Sequence, residues 1–156
     1  MKTNNILSID KFKSNIGSKS RLLGIDPGGA NMGLAICDEN KKVATPLKVI
    51  KKKKFKSFLS EINEIINESN IKGIIIGNPI NMDGSSGHSS QSAMDFAENL
   101  SKNITIPVSM WDERLSSEAG FKLSKELELN TSNTVKILDK NAAAFILQGA
   151  IDYLSN

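Results

Sequence analysis

Hydrophobic and polar positions along the chain fall into segments of two different periods. Residues 1–20 (MKTNNILSIDKFKSNIGSKS) are polar, contain repeated Lys and Ser, and are only weakly periodic. They read as a flexible or loosely docked extension. From Arg21 the texture changes: RLLGIDPGG is an apolar run ending in Asp, Pro and two glycines, which suits a buried strand entering a tight turn. A second strand is expected over residues 32–37, ended by the polar DENKK turn, and a third over VATPLKVI. Pro46 has no N–H to give to a sheet ladder, so it points to an edge position or a bulge in that third strand. Connections this short favour an antiparallel three-strand meander.

Residues 51–69 switch to a helical period, with Phe55, Phe58, Leu59, Ile62, Ile65 and Ile66 on one face. IKGIIIGNP follows as a continuous β-branched run, the pattern of a strand covered on both sides in a parallel sheet. Residues 81–87 (NMDGSSG) form a polar, glycine-rich loop, and residues 88–102 a helix with Ala93, Phe96, Ala97 and Leu100 inward. IPVSMWDER is a short strand that ends in charge. Helices are expected over about residues 116–128 and 135–154, the last apolar nearly all round and therefore interior. The order β-β-β-α-β-α-β-α-α predicts an α/β domain over residues 21–156: a mixed five-stranded sheet, three antiparallel strands then βαβα, with helices on both faces.

Composition narrows the function classes. At 156 residues the chain fits one domain. No apolar run approaches the ~20 residues that span a bilayer, and the N-terminus lacks the apolar core of a secretory signal. The single cysteine, Cys37, excludes an internal disulfide and a multi-cysteine zinc site, and a reducing cytoplasmic setting is the simplest inference. Net charge is only +3, but residues 1–60 carry 13 basic and 4 acidic side chains, whereas residues 61–156 carry 7 and 13. A basic half attracts polyanions and clustered carboxylates attract cations, although composition alone also suits a solvated lysine-rich face.

Three acidic features stand where strands end or a helix begins: Asp26, the pair Asp112–Glu113, and Asp139 near the start of the last helix. Sites in α/β sheets form beyond strand ends. Hydrolysis of a phosphodiester needs an activated water and neutralised phosphate charge, which divalent ions supply. Mg²⁺ is a hard ion that prefers carboxylate and water oxygens. Each acid alone has a plainer reading. Asp26-Pro27-Gly28 suits a β-turn, Glu113 can pair with Arg114, and Asp139 can complement a helix N-terminus. The joint pattern carries the chemistry.

That pattern resembles the YqgF family of RNase H-like proteins, described as Holliday junction resolvase-like and as pre-16S rRNA nucleases. The motifs are LLGIDPGGANMGLAICD, IIIGNPINMDGSSG, the Asp-Glu-Arg of residues 112–114, and LDKNAAAFILQ, in family order over about residues 21–154. The resemblance implies an RNase H fold and a metal-dependent nuclease acting on structured nucleic acid, at the 5′ end of the small-subunit rRNA precursor. It implies Asp26, Glu113 and Asp139 as carboxylates for Mg²⁺ or Mn²⁺, and a strand-end role for Asp112. Arg114 and Lys140 become phosphate contacts, and Pro79, Met82 and Gly84 shape a substrate loop. Implied partners are precursor rRNA or branched DNA and the ribosomal subunits, with no membrane; the chain acts as a monomer or homodimer.

Departures from the family pattern are specific. Gly29, Ala30, Asn31 and Met32 stand where Thr-Lys-Arg usually precedes the glycine of the second strand, and only Lys136 is basic on the approach to Asp139. Each lost phosphate contact weakens binding. Two other functions follow from the same residues: a dimeric DNA junction resolvase, and a non-catalytic RNA-binding assembly factor. An actin-like phosphate loop at Asp26-Pro27-Gly28 is disfavoured because the chain has a single Asp-x-Gly motif.

Overall fold

The computed structural model describes residues 6–27, 31–51, 54–79, 87–112 and 131–155, leaving side chains at 88–89 and 131–141 outside that description. The strands are β1 (Ile6–Leu7), β2 (Arg21–Asp26), β3 (Asn31–Cys37), β4 (Ala44–Lys51), β5 (Ile71–Asn78) and β6 (Val108–Asp112). The helices are α1 (Ile9–Asn15), α2 (Phe55–Glu68), α3 (His88–Ser101) and α4 (Thr131–Leu154). The strands form one sheet in the order β1-β6-β5-β2-β3-β4. β2, β3 and β4 are the expected antiparallel meander, while β5 and β6 add in parallel beside β2.

The sheet has six strands rather than the expected five. The extra one comes from the segment whose polar texture reads as an extension: β1 pairs in parallel with β6 through Ile6↔Val108 and Leu7↔Ser109. α1 follows at once, its N-terminus capped by Ser8, whose hydroxyl oxygen accepts from the Lys11 N–H at 3.3 Å. Phe12 on α1 is fully buried. It sits over Gly73 so closely that a β-carbon there would come within 2.6 Å of the ring. A two-residue strand and one buried aromatic leave no period in the sequence, which is why the docking is invisible there.

β4 is one edge of the sheet, and its register with β3 shifts between Leu34 and Ala35, opposite Lys48 and Pro46. Both readings of Pro46, edge and irregularity, hold at one place.

Two apolar layers cover the two sheet faces. On one, Phe58, Ile62 and Ile65 of α2 and Ala97 and Leu100 of α3 pack with Leu23, Ile25, Ile74 and Ile76. The rings of Phe58 and Phe96 meet edge-on at 5.3 Å, joining α2 to α3. Fully burying a side chain such as Phe58 or Ile62 stabilises by roughly 1.5–3 kcal/mol. On the other face, Ala143, Leu147, Ala150, Ile151 and Leu154 of α4 lie against Leu22, Ala35 and Ile75, with Phe12 beside them. The alanines keep α4 close to the sheet. α4 begins at Thr131 rather than near residue 135, so Asp139 lies two turns inside it and not near its start. The macrodipole fades within the first turn, so the helix-end reading of Asp139 loses its physical basis. Among the described residues no helix is long and apolar enough to cross a membrane. The helix expected over residues 116–128 lies outside the described residues.

Candidate functional site at the ends of the parallel strands

β2, β5 and β6 run in parallel, so their C-terminal ends share one rim of the sheet. That rim carries Asp26, Asn78 and Asp112. Side chains alternate along a strand. Leu22 packs in the α4 layer and Leu23 and Ile25 in the opposite one, so Asp26 belongs to the α4 face.

The register names its neighbours. Asp26 pairs with Gly33 of β3, and Ile25↔Ile76 sets Gly77 of β5 on its other side. Gly77 in turn pairs with Trp111. The acid therefore stands between two residues that have no side chain. A β-carbon on Gly33 would lie 3.8 Å from Cβ of Asp26 and 3.5 Å from Cβ of Ala143. Asp26, Gly33 and α4 thus meet at one point.

α4 then sets the direction. Leu147 lies over Gly24 and Ala143 over Gly33, so tracing α4 towards its N-terminus leads to the Asp26 rim. Asp139 is one turn before Ala143, on the same stripe of the helix and roughly 6 Å further along its axis.

Asp112 goes the other way. Trp111 is in the α4 layer and Met110 packs against the opposite one, so Asp112 shares the α2–α3 face. It pairs in register with Asn78, whose Oδ1 accepts a hydrogen bond from the Ser90 hydroxyl at 2.7 Å. That bond ties the end of β5 to the first turn of α3. Asp112 and Asp26 are on opposite faces of the sheet, in keeping with a strand-end role for Asp112.

The remaining expected residues divide by place. Pro79 is half-buried directly after Asn78, at the rim. Asp139 and Lys140 lie in α4, with their side chains outside the described residues, while Met82, Gly84, Glu113 and Arg114 lie outside them altogether. Among the described residues no three His, Cys, Asp or Glu side chains form a metal-binding group. Of the three expected ligands only Asp26 has a described side chain. Its chemistry fits a hard cation: a half-buried carboxylate oxygen donor at the strand end, with glycine backbone on both sides in the ladder.

Gly33, Gly77 and Asn78 were not recognised from the sequence as site residues. Gly77 reads as a packing glycine, and only the register places it and Gly33 beside Asp26. Asn78 carried a usable signal, a polar residue closing an apolar run just before a glycine-rich loop. Trp111 is nearly buried, its ring 5.7 Å from that of Tyr153, so it packs on the strand face and presents no open ring for a base to stack on. Cys37 is buried, and desolvation pushes its thiol pKa up, opposed by the Leu22 N–H donating to Sγ at 3.3 Å. Such a thiol is a poor nucleophile.

The mixed sheet, the helices on both faces and the acid closing a central strand define an RNase H-like α/β protein. The chain belongs to the RuvX family, whose model, described as Holliday junction resolvase, matches residues 20–153. A protein of Pelagibacter ubique described as "Putative pre-16S rRNA nuclease" is 50% identical over 151 residues, 97% of this chain and 100% of that protein. One of Rhodobacter capsulatus with the same description is 38% identical over 148 residues, 95% of this chain and 93% of its own. In fold the chain is similar to T. thermophilus RuvC in complex with a Holliday junction substrate, with a TM-score of 0.55 at 14% identity over 87% of this chain and 96% of that one.

Proposed function

We propose that the chain is a metal-dependent endonuclease that hydrolyses phosphodiester bonds of structured nucleic acid, processing the 5′ end of precursor 16S rRNA. The observation that carries this reading is Asp26 at the parallel-strand rim, flanked by Gly33 and Gly77 and approached by the helix that holds Asp139. The relatives' description supplies the substrate.

In this reading Asp26, Glu113 and Asp139 hold Mg²⁺ or Mn²⁺. A bound divalent ion would lower the pKa of a water and neutralise charge on the phosphate. The chain's own contribution is placement. Asp26 is fixed by two ladder neighbours, and the glycines leave room for a phosphate to come near the backbone. Glu113 is taken over Asp112 because the resemblance assigns the carboxylate to that position, and Asp112 itself lies on the α2–α3 face, away from Asp26. Arg114 and Lys140 would meet phosphate oxygens, and Pro79, Met82 and Gly84 would shape the substrate loop. Cytoplasmic location, ribosomal-subunit association and a monomeric or homodimeric state belong to the same proposal.

The family description favours a second reading, cleavage of branched DNA. The test is Mg²⁺-dependent cleavage of precursor rRNA and of a four-way DNA junction side by side. Preferential cutting of the junction overturns the rRNA reading. Binding without cleavage, in Mg²⁺ and in Mn²⁺, points instead to a non-catalytic assembly factor.

A further inference from the structure

The opposite rim of the sheet, at the N-terminal ends of β2 and β5, holds a small cleft of about 120 Å³. Lys19, Arg21 and Lys72 line it together with Ser69, Asn70 and Glu39. Three cations face one carboxylate. None of the three has a described side-chain hydrogen bond or ion pair, although Arg21 is half-buried.

The fold builds this convergence locally. Arg21 pairs with Ile71, but the next pair is Leu22↔Gly73, so Lys72 is an extra residue in the β5 ladder. A bulge of this kind re-aims the side chain it carries. Asn70 precedes it with φ of 54°, a left-handed turn that brings the end of α2 sharply into β5. On the other wall, the Ser20 N–H donates to the Glu39 carbonyl at 2.8 Å. The Lys41 ammonium donates to the carbonyls of Ser18 at 2.7 Å and Gly17 at 3.3 Å. Lys19 is therefore held on a pinned segment.

The geometry points to a phosphate-binding site in this cleft, which takes a backbone phosphate of the nucleic acid that the chain binds. Arg21 offers a planar fork of donors and the two lysines offer point charges, the pairing that suits a phosphate. Arg21 is five residues from Asp26 along β2, roughly 17 Å at 3.3 Å per residue. Arg21 alternates onto the α2–α3 face and Asp26 onto the α4 face, so a substrate touching both would wrap past the sheet and be gripped away from the bond that is cut. This inference rests on the nucleic-acid reading of the chain, but not on its cleavage chemistry.

The test measures binding and leaves turnover aside. Affinity of the full chain for a precursor-rRNA fragment is followed against salt for wild type and for K19Q/R21Q/K72Q. Losing this one phosphate contact should lower the slope of log K against log salt by about 0.7–0.9 in the triple variant, which should also bind at least tenfold more weakly at low salt. A charge-matched control, K11Q/K48Q/K56Q, should lose less than half as much. E39Q should bind more tightly. In a parallel arm, amide NMR shifts of Arg21 and Lys72 are followed while inorganic phosphate or the RNA fragment is added. Shifts with RNA at concentrations where phosphate gives none support a backbone contact. Equal losses in the two triple variants, an unchanged slope, or shifts with phosphate alone would overturn it. Every one of these readouts is taken in EDTA, without divalent ion or turnover, so a failed nuclease reading is separable from a failed cleft.

Discussion

A β-carbon on Gly24 would lie 2.8 Å from Cβ of Leu147, and 3.2 Å from the carbonyl oxygen of Ala143. α4 thus rests directly on the backbone of β2, two residues before Asp26. Gly24→Ala must push the helix away, and overpacking of this kind costs about 1–3 kcal/mol. Chemical denaturation should show that loss.

Gly33→Ala separates packing from chemistry. Its β-carbon would be 3.5 Å from Ala143, an ordinary contact, but would also enter the space beside Asp26. Stability should change by less than about 1 kcal/mol, since alanine strains neither strand nor helix there. Cleavage of precursor rRNA should fall by about tenfold or more, because small misplacements of reacting groups are expensive. Full activity in Gly33→Ala would mean that the space is not used.

Asp26→Asn keeps the shape and removes the charge. Cleavage should drop by more than about 100-fold, corresponding to about 2.7 kcal/mol or more of lost transition-state stabilisation. RNA affinity in a gel-shift assay should stay within about threefold. Chelation with EDTA should abolish cleavage in wild type, and added Mn²⁺ or Mg²⁺ should restore it without a change in circular dichroism.

Phe12→Ala tests whether the N-terminal segment belongs to the folded unit. Phe12 is fully buried against Gly73 and Leu22. Truncating such an aromatic costs about 3–5 kcal/mol. The thermal midpoint should fall accordingly. A shift no larger than that of an exposed-site variant such as Lys11→Ala would show that the segment is only loosely attached.

The turn after β3 predicts a pH signature. The Asp38 carboxylate accepts from the backbone N–H groups of Val43 at 2.8 Å, Lys42 at 2.9 Å and Asn40 at 3.1 Å, and these bonds hold its pKa below the usual value. A group whose pKa is lower folded than unfolded stabilises above the unfolded pKa, and that stability is lost as pH falls through the folded one. The difference in stability between wild type and Asp38→Ala should therefore be full near neutrality and shrink below about pH 4. A difference that grew on acidification would contradict the hydrogen-bond account.

The meander, the covered parallel strand and α2 were legible because their signals are local: periods of two and 3.6, a proline at an edge, glycines at turns. Asp26 was legible as a strand-end acid. β1 and α1 were not, because Phe12 owes its burial to Gly73, some sixty positions away. The bulge that adds Lys72 to the cleft was hidden for the same reason, since it exists only in the pairing of β5 with β2.

By itself the sequence determined that the segments of β2 to β6, α2 and α3 become strands and helices, and which acids are available, because backbone propensity and hydrophobic spacing are properties of neighbouring residues. Only the tertiary structure decided that Gly33 and Gly77 flank Asp26, that Asp112 turns to the other face, and that α4 leads back to the Asp26 rim. Register and crossing are set by how distant apolar surfaces fit together, and no local pattern encodes that fit.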